Sequence, residues 1–238
     1  MSGSTSKPKV GVFITTYNTS KFVAAAIDSL SRQTWMPDWV VVVDDASTDN
    51  SVKIAKDALL GRPFLSTVIV NENNLGPSAS RNIAIRMLLL QKCDIIAQLD
   101  SDDFYYPTKI EKSVAALQKY PNIGLIYSDY DTLDIVNNKT YTEFKSPYSY
   151  EFLEQNCIIS TNSVYRADVF AACGMFNEQM VGGEDYELYM RIAKKFMIYH
   201  IPEPLFAYRL HGKNLTLTKT EQVINNVKQF KQQLAASR

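Results

Sequence analysis

Short apolar runs at Val10–Ile14, Val40–Val43, Thr67–Val70 and Ile95–Leu99 alternate along the chain with segments whose apolar residues recur at helical spacing. Between Ser20 and Arg32, for example, Phe22, Val23, Ala26, Ile27 and Leu30 share one face. Helices are predicted in the same way near Ser51–Leu60, Ser78–Leu90 and Pro107–Gln118. Unbroken apolar runs suit strands covered on both faces, so the rhythm predicts an α/β protein with a largely parallel sheet and helices on both sides. Asn50 or Asp49 is placed to cap the second helix. Pro107 suits the first turn of the fourth, where a missing N–H costs nothing.

Beyond a fifth predicted strand at Gly124–Ser128 the rhythm breaks. The tyrosine-rich stretch Tyr130–Tyr150 reads as an insertion or meander. A helix containing Glu184, Leu188, Ile192 and Ala193, a strand at Met197–Ile201 and an amphipathic helix from about Glu221 to Leu234 follow. Too few apolar runs remain for a second core, so the second half is expected to complete the same body.

Composition narrows the classes. Of 238 residues, 25 are basic and 25 acidic, and this balance gives no reason to expect nucleic acid or an anionic membrane as the main partner. Cys93, Cys157 and Cys173 are odd in number and far apart, which predicts buried thiols in a reducing compartment and no zinc. Met1 to Lys9 lack an apolar signal core, and no run approaches the roughly 18 apolar residues of a membrane span. The expectation is a cytoplasmic protein whose membrane association, if any, is peripheral, and which is free to be an oligomer.

The chemistry concentrates at the ends of the apolar runs. Asp44 and Asp45 follow the second, Asp100 and Asp102 the fourth, and strand ends are where open α/β sheets bind ligands. Carboxylates gathered there repel one another, which makes a cation their natural neutraliser. Thr15-Thr16-Tyr17-Asn18 closes the first run, offering hydroxyl groups and a ring on which a nucleobase can stack. Asp45 can accept a hydrogen bond from the imide N–H of uracil or thymine. In an extended segment Asp100 and Asp102 point the same way, so that one can hold a ribose and the other a metal. Oxygen ligands select Mg²⁺ or Mn²⁺. Each group also has a plainer use: Asp44–Asp49 as turn and cap, Glu184 and Asp185 as acids at a helix N-terminus, Tyr17 as packing, Arg81 in an ion pair, His211 as a structural imidazole.

Taken together, Thr15-Thr16-Tyr17-Asn18, Asp44-Asp45-Ala46-Ser47-Thr48-Asp49, Asn74-Leu75-Gly76-Pro77-Ser78-Ala79-Ser80-Arg81-Asn82, Asp100-Ser101-Asp102-Asp103 and Gly183-Glu184-Asp185 resemble family 2 glycosyltransferases, in order and spacing. The resemblance implies the GT-A fold, with its Rossmann-like sheet, and an inverting, metal-dependent transfer from a nucleotide sugar to a hydroxyl group. It implies Thr15, Tyr17, Asn18, Asp45, Arg81 and Asp100 around the nucleotide, Asp102 on Mn²⁺ or Mg²⁺, and Asp185 as general base with Glu184 beside it. Tyr208-Arg209-Leu210-His211 resembles a C-terminal motif of the family, which places Arg209 or His211 at the diphosphate or the metal. The expected division is a disordered segment 1–9, a nucleotide-sugar half 10–129, an acceptor and catalytic half 130–218 and a C-terminal helix 219–238. The expected donor is UDP-sugar, or dTDP-sugar, and the acceptor a glycan, lipid-linked or other hydroxyl in cell-surface polysaccharide assembly. A sugar-nucleotide pyrophosphorylase would show a glycine-rich basic loop where Thr15–Asn18 stand. A phospho-acceptor module would be far shorter and carry its acidic pair after the first strand.

Overall fold

The computed structural model describes residues 7–180, 182–214, 217 and 220–236. Residues 1–6 of the expected disordered segment, and residues 219, 237 and 238 of the expected C-terminal helix, lie outside them. In chain order the elements are β1 (Val10–Thr16), α1 (Val23–Leu30), β2 (Trp39–Asp44), α2 (Ser51–Leu59), β3 (Leu65–Val70), α3 (Pro77–Leu90), β4 (Ile95–Asp100), β5 (Phe104–Tyr105), α4 (Lys109–Lys119), β6 (Ile123–Asp134), β7 (Lys139–Glu143), α5 (Tyr150–Gln155), β8 (Val164–Arg166), α6 (Asp168–Cys173), α7 (Glu184–Ala193), β9 (Met197–Leu210) and α8 (Thr220–Ala236).

One sheet runs through both halves in the order β3-β2-β1-β4-β8-β6-β9-β5, with β7 paired to β6. The pairs β1/β2, β1/β4, β2/β3 and β6/β9 are parallel, and β8 is antiparallel to both β4 and β6. Strands β3, β2, β1, β4, β6 and β9 therefore all point the same way. Successive side chains alternate between two cores, as the period of a strand requires. Val12, Ile14, Val40, Val42, Ala97 and Leu99 pack with α1, α2 and α4, whereas Phe13, Val41, Val43 and Ile96 pack with α3, α6 and α7. Gly11 permits the close approach of α3: a Cβ there would lie 2.6 Å from Leu88 Cδ2 and 2.9 Å from Cys93 Sγ.

The first four βα units follow the apolar pattern; the later part departs from it. Pro107 lies in a turn before α4, not in its first turn. Its carbonyl accepts the Thr34 backbone N–H at 2.9 Å, so the turn docks on the chain after α1. Asn50 gives α2 no side-chain cap; instead Asp49 accepts the Ser51 N–H at 2.9 Å. The Tyr130–Tyr150 stretch is a meander, since β6 extends to Asp134 and turns back as β7. The short elements β5, α5, β8 and α6 carry too few residues for periodicity to reveal them. Cys157 corrects the expectation of three buried thiols: it is exposed in the loop after α5, whereas Cys93 is buried. Among the described residues no helix is long and apolar enough to cross a membrane.

Lys109 opens α4 fully buried. Its Nζ donates to Ser128 Oγ at 3.1 Å and lies over the rings of Phe206 and Tyr105, 5.3 and 5.8 Å from their centroids. Burial lowers the ammonium from 10.5 to about 7. Because the folded state then binds fewer protons than the unfolded chain between those values, this group costs stability in full below about pH 7 and nothing above its unfolded value. Urea unfolding at pH 7 and pH 9.5 tests this. Lys109→Met is expected to gain about 2–4 kcal/mol at pH 7 and less at pH 9.5; equal changes at both would show that the lysine holds no depressed titration.

Candidate active site

The register of β1 against its neighbours builds one wall. Thr15 lies opposite Asp100 and Thr16 opposite Asp44, so the acid-bearing ends of β2 and β4 flank the end of β1. Thr16 Oγ1 and Thr19 Oγ1 share a 2.6 Å hydrogen bond, and Thr19 donates to Ser101 Oγ at 3.0 Å, tying the first loop to the Asp100–Asp103 turn. Tyr17 stands 50% exposed beside it. Asn18 adopts φ +55°, and its Oδ1 accepts the Thr48 N–H at 2.9 Å.

Asp44 and Asp45 are compensated by the chain itself. Asp44 accepts the Ser47 N–H at 2.8 Å and the Ser47 hydroxyl at 2.7 Å, closing its own turn. Asp45 is 4% exposed and reaches across to the loop before α3, where Asn71 Nδ2, Leu75 N–H and Gly76 N–H each donate to it at 2.8 Å. The plainer reading of this motif therefore accounts for most of its hydrogen bonds, and Asp45 keeps room for about one more donor.

Asp100 is different, because its counter-charge comes from a remote helix. Arg81, on α3, is 7% exposed and donates through Nη1 to Glu184 Oε1 at 2.8 Å. The same guanidinium lies 3.5 Å from Asp185 Oδ2 and 3.6 Å from Asp100 Oδ1, and rests 5.1 Å over the Phe176 ring. Burial alone would weaken its hold on the proton, but Asp185, Glu184 and Asp100 together raise its pKa. Glu184 is fully engaged, since Oε2 also accepts the Gly182 N–H at 2.7 Å. Asp185 is not: its side chain is 20% exposed, and Oδ1 has no hydrogen-bond partner among the described residues. Burial, opposed by Arg81 and assisted by Glu184 and Asp100, pushes its carboxyl up to about 7. The pKa of Asp100 is raised as well, by burial first, with Arg81 opposing and Asp102 assisting.

A second cluster surrounds Asp102. His211 Nε2 lies 3.0 Å from Asp102 Oδ2, and its ring stacks on Phe22 at 4.7 Å. Arg209 donates its backbone N–H to Asp103 at 2.9 Å and Nη1 to the Asp102 carbonyl at 3.1 Å, with its guanidinium over Phe104 and Phe22. Fully buried Asp103 also accepts from Asn162 Nδ2 at 2.7 Å; its pKa is well raised, by burial first and then by Asp102 and Asp100. Asn162, at φ +55°, accepts the Asp100 N–H at 2.7 Å, so one amide fixes both ends of the turn.

The structure thus joins Arg81, Asp100, Glu184 and Asp185 in one cluster and Asp102, Arg209 and His211 in another, with Asp100–Asp103 common to both. Thr15, Tyr17 and Asn18 border them on the β1 side. The sequence shows Asp103 within its acidic motif but gives it no role, and it does not mark Asn162, Phe22 or Gln98 as site residues. Gln98 is buried, donates to Asp100 Oδ1 at 3.3 Å and accepts from Tyr165 at 3.3 Å. A lone amide inside the apolar run Ile95–Leu99 was its available signal. For a metal, the donor chemistry is suitable: Asp100, Glu184 and Asp185 share the one guanidinium of Arg81, Arg209 reaches only the Asp102 carbonyl with its guanidinium, and Asp102 and His211 are the two side chains that could ligate a divalent ion. Among the described residues no three His, Cys, Asp or Glu side chains form a set that could hold an ion unaided. Further ligands would have to come from a bound phosphate, a common arrangement for Mg²⁺.

The family model described as glycosyl transferase family 2 matches residues 11–174. Chondroitin synthase from Escherichia coli is 26% identical over 90% of this chain and 31% of its own length. An uncharacterized glycosyltransferase from Methanocaldococcus jannaschii is 27% identical over 93% of this chain and 78% of its own. Among solved structures, residues 1–349 of S. aureus TarS in complex with UDP superpose with a TM-score of 0.71 at 20% identity, covering 93% of this chain and 65% of that one. Mannosyltransferase PcManGT from Pyrobaculum calidifontis, in complex with GDP-Man and Mn²⁺, gives 0.73 at 19% identity, covering 95% and 64%. The chain thus spans about a third of the synthase and just under two thirds of these solved chains. The fold is the GT-A fold.

Arg81→Met should cost about 3–5 kcal/mol in urea unfolding, because it leaves several buried carboxyl groups without their cation. A loss below about 1 kcal/mol would mean that the guanidinium does not hold the cluster together.

Proposed function

The chain belongs to glycosyl transferase family 2, and on that premise we propose that it transfers a sugar, with inversion, from a UDP-sugar to a hydroxyl acceptor. The observation that carries the reading is the contrast between Glu184 and Asp185. Adjacent residues at the start of α7, they diverge by about 100° around the helix. Glu184 is locked inward on Arg81 and the Gly182 N–H and is 3% exposed, while the Asp185 side chain is 20% exposed and its carboxyl is pushed up to about 7. A base whose pKa lies near working pH, with part of its carboxylate open to the cleft, is what proton removal from an acceptor hydroxyl needs.

In the proposed reaction the acceptor oxygen attacks the anomeric carbon from the face opposite the diphosphate, and its proton passes to Asp185. The bond from that carbon to the diphosphate oxygen breaks, and its electron pair leaves with the nucleoside diphosphate. Tyr17 offers the face on which the base stacks, flanked by Thr15 and Asn18. Asp45 shapes this wall through the Asn71–Gly76 loop and keeps one acceptor position for the imide. Asp100 takes the ribose, and Arg81 sets its orientation while standing near the nucleotide. Asp102 and His211 would hold Mn²⁺ or Mg²⁺, which neutralises charge on the diphosphate when bound. The imidazole nitrogen favours Mn²⁺ of the two.

The solved neighbours carry UDP in one case and GDP-Man with Mn²⁺ in the other; UDP is proposed here, with Asp45 as acceptor for the imide N–H of uracil. The acceptor is proposed to be a glycan or lipid-linked hydroxyl of a cell-surface polysaccharide, reached in the cytoplasm with at most peripheral membrane contact.

Hydrolysis of a panel of UDP-sugars with Mn²⁺ tests the assignment. Asp185→Asn is expected to lower kcat by about 10²–10⁴-fold while binding UDP within about twofold of the parent. Unaltered turnover would remove Asp185 from the reaction. With its pKa near 7, parent kcat should rise about tenfold between pH 6 and pH 8 and then level. Asp102→Ala should abolish the thermal stabilisation by UDP that depends on Mn²⁺; retention of that stabilisation would place the ion elsewhere.

A further inference from the structure

The C-terminal helix lies beyond the 11–174 span that the family model matches, yet it meets the residues that begin α7. Gly182 and Gly183 both adopt left-handed conformations, φ +86° and +84°, immediately before Glu184 and Asp185. Only glycine takes up such consecutive geometry without strain. The space beside each is filled by α8. A Cβ on Gly182 would lie 2.5 Å from Val223 Cγ2, and one on Gly183 would lie 2.7 Å from Val227 Cγ2. Asn226, on the same face, donates from Nδ2 to the Gly182 carbonyl at 3.2 Å.

One turn further along α8 the contact continues. Phe230 packs edge-on against Tyr186 at 6.0 Å, and Lys231 donates to the Gln155 carbonyl at 2.6 Å with its ammonium over the Tyr186 ring. Positions 223, 226, 227, 230 and 231 recur at helical spacing, so this is one face of the helix; Ile224, 60% exposed, stands at its edge, and exposed Asn225 lies on the opposite side. The helix therefore grips the glycine turn at its start and the second residue after Glu184 at its middle. The Gly182 N–H is the donor that fixes Glu184 Oε2, so the geometry of the turn passes directly to the acid pair.

We propose that α8 is a positioning element for the proton-accepting carboxylate. Val223, Asn226 and Val227 clamp the Gly182–Gly183 turn, and the turn sets the direction in which Glu184 and Asp185 leave it. These three are positioning residues and touch no reacting atom. The consequence for turnover rests on the reading of Asp185 given above; the clamp itself does not.

The test uses the full chain as Val223→Ala/Val227→Ala and as Asn226→Ala, with Asn225→Ala as the control on the outer face. Two readouts are taken. Amide exchange over residues 182–186 reports the turn, and kcat with the UDP dissociation constant reports the site. For the double variant the expected result is exchange faster by about tenfold or more and kcat lower by about 10–100-fold, with UDP affinity held within about twofold. Asn226→Ala should move both readouts the same way by less, and Asn225→Ala should move neither. A merely structural role would lower UDP affinity and melting temperature together with kcat, and that outcome overturns the proposal. So does unaltered exchange in the double variant, or faster exchange with full kcat. If the parent turns over no UDP-sugar, the transferase reading fails, while the exchange data alone still decide whether α8 holds the turn.

Discussion

Arg81 carries a charge that the rest of the site is arranged around. Taking a guanidinium out of water is costly unless carboxylates surround it, and carboxylates packed together are costly unless a cation stands among them. Here each resolves the other: Asp100 comes from the end of β4, Glu184 and Asp185 from the start of α7, and Arg81 from α3 between them. Residues a hundred positions apart are thereby held within a few ångströms. Arg81 Nε and Asp185 Oδ1 are buried without hydrogen-bond partners among the described residues.

Elsewhere the chain uses a cheaper device. Asp44 and Asp49 accept backbone N–H groups of their own turns, Asp45 those of Leu75 and Gly76, and Asp103 that of Arg209 on β9, which stabilises each carboxylate and fixes a segment of chain at once. This is why an acidic cluster at the sheet edge does not repel itself apart. The acids fall into two groups: those that build loops and those that share Arg81 or face His211. The second group comes from both halves of the sheet, joined where β8 bridges β4 and β6.

The βα half was legible because its physics is local. Val40–Val43 and Ile95–Leu99 are buried on both faces, and their closing acids fall at the sheet edge as the pattern implied. The later half was less so. Strand β9 contains Pro202 and Pro204 and pairs with β6 through register shifts near Ser128 and Asp129, so its apolar run understates its length. The site was legible as a set of residues but not as a network. That Arg81 would bridge Asp100 to Glu184, or that Asn162 would hold Asp100 and Asp103 together, depends on tertiary placement that no spacing encodes. The role of α8 was hidden for the same reason: its amphipathic face was visible, but not the glycine turn it covers.

In the proposed reaction Asp185 is the base and the Asp102–His211 pair the cation site, with Asp185 held by Arg81 and by the Gly182–Gly183 turn before it. A crystal structure with UDP and Mn²⁺ examines this directly. Mn²⁺ is expected on Asp102 and His211, with the diphosphate completing its ligands, uracil against Tyr17, and Arg81 still bridging Asp100 and Glu184 while Asp185 faces the open side of the diphosphate. Mn²⁺ bound without Asp102, or Asp185 turned away from the diphosphate, would contradict it.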